Sequence, residues 1–160
     1  MSKAFRIAFG GAVAVIAVLL WYGFAVTKGN HLAPAGKIGK VRVQKVTDDV
    51  CFVVIDFNVK NDSDRDMIVH SVTVTIDRPE GSMDGLAVSA RDLEDAFRSY
   101  PELGEKYNPV LKDRDTVPAH QELDRMVAAR FDVPVEKVEE RRKLTLRVED
   151  VTGAELLLTK

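Results

Sequence analysis

The chain has 160 residues, 46% hydrophobic and 30% charged, with 23 basic against 25 acidic side chains and a formal net charge of -2. That length and composition suit one folded domain plus an appendage, and a near-neutral balance without a basic block lacks the electrostatic footprint of a nucleic-acid binder. A single cysteine, Cys51, excludes an internal disulfide, and no histidine stands near it in sequence to activate a thiol nucleophile.

Residues 1–6 form a short flank carrying Lys3 and Arg6. Residues 7–26, IAFGGAVAVIAVLLWYGFAV, hold no charge. As a helix rising about 1.5 Å per residue, this run covers the roughly 30 Å of a bilayer's hydrocarbon. The anchoring side chains expected to face lipid are Ile7, Val13, Val15, Ile16, Val18, Leu19, Leu20, Trp21, Tyr22 and Phe24, with the Trp21–Tyr22 pair at the headgroup level. A cleaved signal peptide is the competing reading, with small-x-small sites at Ala33-Pro34-Ala35 or Gly23-Phe24-Ala25. The apolar run exceeds the usual 7 to 15 residues of a cleaved peptide, which favours an uncleaved signal anchor. Lys28, Lys37, Lys40 and Arg42 outnumber Lys3 and Arg6 in the flanks. A long following domain translocates largely regardless of such charges, so the expected topology places the C-terminal domain outside the cytoplasm, periplasmic or at the cell surface.

Residues 27–37, with Gly29, Pro34 and Gly36, read as a tether, and residues 38–160 as the folded domain. Val41 and Val43 mark a first strand. In VCFVVIDFNVK the odd positions Cys51, Val53, Ile55, Phe57 and Val59 are apolar, while the even positions give way to Asp56, Asn58 and Lys60. Such a strand is covered on both faces at its start and on one at its end. Ile68, Val72, Val74 and Ile76 alternate with Ser71, Thr73, Thr75 and Asp77 in the next run, joined to the previous one through Asn61–Asp66 as a hairpin-like pair. Further strands follow at Leu123–Val133, Leu144–Val148 and, after a Thr152-Gly153 turn, Leu156–Leu158, which makes six; a seventh would lie near Leu86 or Val110.

Two short helices interrupt the strands. Ser89 is placed to cap the first, with Leu93, Ala96, Phe97 and Tyr100 on one face and Pro101 ending it. Pro134 opens the second, with Val135 and Val138 turned inward and Glu136 and Glu140 outward. Many strands and few helices in about 120 residues predict a mainly β fold, an immunoglobulin-like antiparallel β-sandwich with one or two short helices behind an N-terminal transmembrane helix; a small α+β sheet is the alternative.

Asp62, Asp64 and Asp66 raise the question of a cation site. An EF-hand loop counted from Asp62 needs glycine at its sixth position and glutamate at its twelfth, where this chain has Met67 and Thr73. A strand connection in which Asn, Asp and Ser bond their own backbone accounts for the residues better. Asn61-Asp62-Ser63 is also a glycosylation sequon. His70 shares the parity of Ile68 and Val72 and is expected to point inward, as a satisfied histidine or, with Asp64 or Asp66, as the centre of an enzyme site. Arg125, Arg130, Arg141, Arg142 and Arg147 lie among acidic residues and read as a paired, solvated surface. Cys51 lies in an apolar strand and reads as a buried small hydrophobe. No catalytic, cofactor-binding or metal-ligating residue set is assigned.

The segments FNVKNDSDRDMIVHSVTVTI and VPAHQELDRMVAARFDVP resemble the strand, Asn-led turn and following strand, and the later proline-led strand, of membrane-tethered immunoglobulin-like domains of the late embryogenesis abundant type 2 kind. That resemblance implies non-catalytic binding, scaffolding or stress protection outside the membrane. The expected function is therefore an anchored, non-catalytic module that meets the bilayer through residues 7–26 and a protein partner through its sandwich. The alternatives are an enzyme formed near His70 and a stress-protective surface domain. An exposed sheet edge is the kind of surface that would accept a partner strand.

Overall fold

The structure, a computed structural model, describes residues 13–23 and 32–160. The chain divides into two units, residues 1–31 and residues 32–160. In the first, residues 13–23 are helical (α1), and Val13, Val15, Ile16, Val18, Leu19, Leu20, Trp21 and Tyr22 are all exposed. Its described length, about 16 Å at ~1.5 Å per residue, is roughly half a bilayer core. No helix among the described residues is long and apolar enough to cross a membrane. Ile7, Phe24 and the rest of the expected 7–26 span lie outside the described residues, as do residues 27–31 of the expected tether.

The second unit is a mainly antiparallel β-sandwich of eight strands: β1 (Ala35–Thr47), β2 (Val50–Asn61), β3 (Met67–Arg78), β4 (Gly81–Ala87), β5 (Thr116–Val117), β6 (Gln121–Phe131), β7 (Lys143–Asp150) and β8 (Glu155–Thr159). Leu32 already packs on the core, so the folded unit starts ahead of Ile38. Between the strands stand α2 (Ala90–Ser99), a 3-10 turn at Pro101–Leu103, and α3 (Val135–Glu139).

Strand order is β1-β2-β6-β4-β3-β7-β8, with the two-residue β5 on β3. β4 makes this one continuous path. Its first residues, Gly81 to Gly85, pair with β3, while Leu86 and Ala87 pair with β6. The strand thus leaves one layer for the other, and the layers are β1-β2-β6 and β4-β3-β7-β8. Gly85 sits at that passage, where a Cβ would fall 2.6 Å from the Phe131 ring and 2.8 Å from Ala129. Only glycine lets the crossing strand lie this close to β6.

The alternation read from the sequence builds the core. Cys51, Val53, Ile55, Phe57 and Val59 face inward from β2, joined by Val127, Ala129 and Phe131 from β6 and by Val74, Ile76, Leu144, Leu146, Val148, Leu156 and Leu158 from the other layer. β2 is covered twice at its start, as expected: Val54, Met126 and Ala128 form a second cluster with Leu93, Ala96, Leu103 and Val110 beneath α2. By Lys60 the outer face of β2 is open to solvent. α2 begins as read, with Ser89 Oγ accepting from the Asp92 amide at 3.1 Å.

Position 70 requires a correction. The pairing of β3 with β7 is irregular between Val69 and Ser71, a bulge that reverses parity along the strand. Met67 and Val69 are the buried residues before it, Val74 and Ile76 after it, and both Ile68 and His70 are exposed. The inward histidine expected from strict alternation is therefore an outward one.

Candidate functional site

The Asn61–Asp66 turn is resolved by its hydrogen bonds. Asn61 is fully buried; its Nδ2 donates to the carbonyls of Arg65 at 2.7 Å, Val117 at 3.0 Å and Pro118 at 3.3 Å. Its Oδ1 accepts from the Ser63 amide at 3.1 Å and from Ser63 Oγ at 2.7 Å. The three carboxylates diverge: Asp62 pairs with Lys60 at 2.8 Å, Asp64 with His120 Nε2 at 2.9 Å, and Asp66 accepts from the Ala119 amide at 2.9 Å. This is a connection tied to the Val117–His120 segment, and not the expected hairpin: β2 pairs with β1 and β6 while β3 pairs with β4, β5 and β7, so the turn carries the chain from one layer to the other. Among the described residues no group of three or more potential metal ligands forms. In the folded domain the sequon is no free glycan acceptor, because Asn61 is fully buried and its Nδ2 donates to the carbonyls of Arg65, Val117 and Pro118. The proposed union of His70 with Asp64 or Asp66 does not form; Asp64 takes His120 instead.

Cys51 is buried, and burial with the Glu136 charge pushes its thiol up to about 11. It is inert at neutral pH. The arginine set does not converge: Arg130 pairs with Asp132 at 2.8 Å, Arg147 with Glu155 at 3.9 Å, and Arg125 and Arg141 donate to the Asp124 and Val138 carbonyls.

One ionic cluster escaped the sequence reading. Arg42 on β1 and Asp56 on β2 form a buried pair at 2.6 Å. Arg42 Nη1 also donates to the carbonyls of Leu103 at 2.9 Å and Glu105 at 2.8 Å, and Asn108 Nδ2 donates to Asp56 Oδ1 at 2.9 Å. The guanidinium lies 5.2 Å from the Phe97 ring and 5.3 Å from Tyr107. The pair clasps residues 101–108 onto the outer face of the β1-β2-β6 layer. The available signal was Asp56 itself, the first charge on the even positions, directly after the apolar Phe52 and Val54.

Where the two layers part beside the β4 passage, a cleft of about 490 Å³ opens, lined by Val72, Ala87, Val88, Val110, Leu111 and Val127 among others. Its polar margin is Ser89, Lys112 and Asp113. Ser89 Oγ is engaged in the α2 cap, accepting from the Asp92 amide at 3.1 Å and donating to Asp92 Oδ2 at 2.8 Å.

The two terminal strands of the path differ sharply. β1 carries exposed Lys37, Lys40 and Lys45, and its register with β2 breaks between Ile38 and Val41 and again between Lys45 and Thr47. Edge lysines and bulges block strand addition. β8 pairs with β7 without a register break, from Thr145↔Thr159 to Glu149↔Glu155. Leu144 and Lys160 exchange both backbone hydrogen bonds, at 2.7 and 2.9 Å, which sets the even positions of β8 toward β7. The N–H and C=O groups of Glu155, Leu157 and Thr159 then point away from β7, along the free edge. No proline or lysine interrupts these five residues, and Leu157 is 54% exposed at their centre.

No family model matches the chain, and no curated protein does. Solved structures offer distant likenesses. The archaellum periplasmic stator protein FlaG from Sulfolobus acidocaldarius superposes with a TM-score of 0.40 at 8% identity, covering 81% of this chain and 100% of that one. The FlaF–FlaG stator complex of the same organism gives 0.38 at 7% identity, over 78% and 87%. An uncharacterised β-sandwich protein from Clostridium difficile 630 gives 0.33 at 11%, over 81% and 80%. Likeness this distant carries no functional argument. The resemblance to late embryogenesis abundant type 2 domains is unsupported; the β-sandwich stands.

Proposed function

We propose that this chain is a non-catalytic, membrane-anchored binding module whose β-sandwich lies outside the cytoplasm and takes a protein partner by strand addition at β8. The observation that carries the reading is the contrast between the two sheet ends: β1 is defended by three exposed lysines and two register breaks, whereas β8 is regular and centred on an exposed leucine. Strand addition draws affinity from backbone hydrogen bonds and specificity from alternate side chains, and an edge without devices against it is suited to that use.

Two further features fit. The pairings β1-β2-β6 and β3-β7-β8 follow the A-B-E and C-F-G arrangement of an immunoglobulin-like sandwich, with β4 leaving the second layer for the first. The apolar side chains of α1, inside the charge-free 7–26 stretch, suit lipid better than water. A photoreactive residue in place of Leu157 in the full chain, in its native membrane, tests the proposal. Adducts to a protein at position 157 and none at Lys45 support it. Equal labelling at both positions, or recovery of the intact chain in an alkaline wash of the membranes, contradicts it.

A further inference from the structure

We propose that the partner at β8 is a second copy of this chain, the two β8 strands pairing antiparallel about a two-fold axis through Leu157; the inference rests on the strand-addition reading. The free edge is self-complementary in that arrangement. Glu155 falls opposite Thr159 of the other copy and Leu157 opposite Leu157, so the outward N–H and C=O groups of all three residues on each strand find partners. The two layers of β4, β3, β7 and β8 become one sheet continuous across the pair.

Charge selects both the partner and the direction. β8 opens on an acid, Glu155, and is followed by a base, Lys160. Antiparallel pairing brings the acidic start of one strand beside the basic end of the other, whereas parallel pairing in register sets Glu155 against Glu155. The outer row through the centre then reads Arg147, Leu157, Leu157, Arg147, with each guanidinium flanking the leucine contact and keeping its own Glu155 at 3.9 Å. β1 runs close to this side of the sandwich, where Lys160 Nζ donates to the Gly39 carbonyl at 2.5 Å, but it forms no backbone pairing with β8, whose outer edge stays unpaired, and Leu157 is 54% exposed on the outer face of the sheet. A five-residue edge is well below the roughly 1,000 Å² of a stable soluble interface, so the pair forms when chains are confined together, as anchoring in a shared bilayer would confine them.

Zero-length cysteine crosslinking in the full, membrane-inserted chain reads this directly, since Cys51 is buried and does not compete. Opposed positions in an antiparallel pair stand about 5.5 Å apart at Cα, within disulfide reach. Leu157→Cys is expected to give a disulfide-linked homodimer. Glu155→Cys and Thr159→Cys are each expected to stay monomeric alone and to crosslink when co-expressed. Leu157→Lys, which leaves the fold's buried residues untouched, is expected to abolish the Glu155–Thr159 crosslink. The proposal is overturned if Leu157→Cys chains that melt like the parent give no dimer, or if each single cysteine crosslinks as well as the mixture. A Leu157→Cys adduct to a different protein overturns the second copy as occupant while leaving strand addition at β8 intact.

Discussion

At the scale of single residues, two buried polar side chains hold the start of β3. Asn61 closes the turn that leads into it with five hydrogen bonds. Replacing it with alanine strands three carbonyls and the Ser63 donors, and is expected to cost at least about 2 kcal/mol, read as a lowered melting midpoint. Asn61→Asp is expected to be no better, because a carboxylate cannot donate to those carbonyls. Asp150 holds the other connection: its Oδ1 accepts from the Ile68 amide at 2.6 Å, and its Oδ2 from the Thr152 amide at 2.7 Å and Thr152 Oγ1 at 2.5 Å. Burial alone would raise its pKa, but the Thr152 hydroxyl and the amides of Thr152, Ile68 and Val151 outweigh it and hold the carboxyl below the ordinary 3.8. A depressed folded-state pKa contributes stability that is complete above the unfolded value and is lost as pH falls through the folded one. Asp150→Asn is therefore expected to be destabilised at neutral pH, with its deficit against the parent shrinking below about pH 3.8 in parallel melts. An unchanged deficit down to pH 2 would contradict that account. The role of Asn61 was legible in its Asn-Asp-Ser context; that of Asp150 was not, because its partner Ile68 lies 82 residues away.

At the scale of elements, six of the eight strands, the amphipathic face of α2 and the double cover on β2 could be read from residue periodicity, since side chains facing a packed layer repeat with the period of the backbone that carries them. The two-residue β5 is too short to show a period, and the pattern does not decide between Leu86 and Val110 for β4. Two further features could not be read. The bulge at Val69–Ser71 reverses an alternation that looks unbroken from Ile68 to Ile76 only if Met67 and Val69 are ignored. The β4 passage rests on a close approach to Phe131, 46 residues away, and its only local mark is Gly85. Gly85→Ala is expected to destabilise by about 1–3 kcal/mol through overpacking against that ring, and Phe131→Leu should recover part of the loss in the double variant. The Arg42–Asp56 clasp is likewise long-range, joining β1 to residues 103–108. Removing one member of a buried pair leaves the other uncompensated at a cost of about 3–5 kcal/mol. Arg42→Ala is thus expected to lower stability and to expose the Leu103–Pro109 segment to limited proteolysis before the rest of the sandwich. Simultaneous loss of all regions would show that the clasp does not serve that segment in particular.

At the scale of the whole molecule, the distribution of charge and cover decides what the sandwich can do. One layer is sheathed by α2 and the clasped segment, and its terminal strand β1 is guarded by lysines. The other layer ends at an unguarded strand. The sequence announced the sandwich, but not which edge was open, because openness depends on where the last strand falls in the sheet order and not on its own composition. Residue-resolved amide exchange of the full chain, dilute in detergent and then crowded in bilayers, tests that openness most directly. In the dilute state the Leu157 amide is expected to exchange rapidly while those of Leu156 and Leu158 are protected, and crowding is expected to slow Leu157 selectively. A Leu157 amide already as protected as its neighbours in the dilute monomer, or one that stays fast in the crowded bilayer, would contradict strand addition at β8.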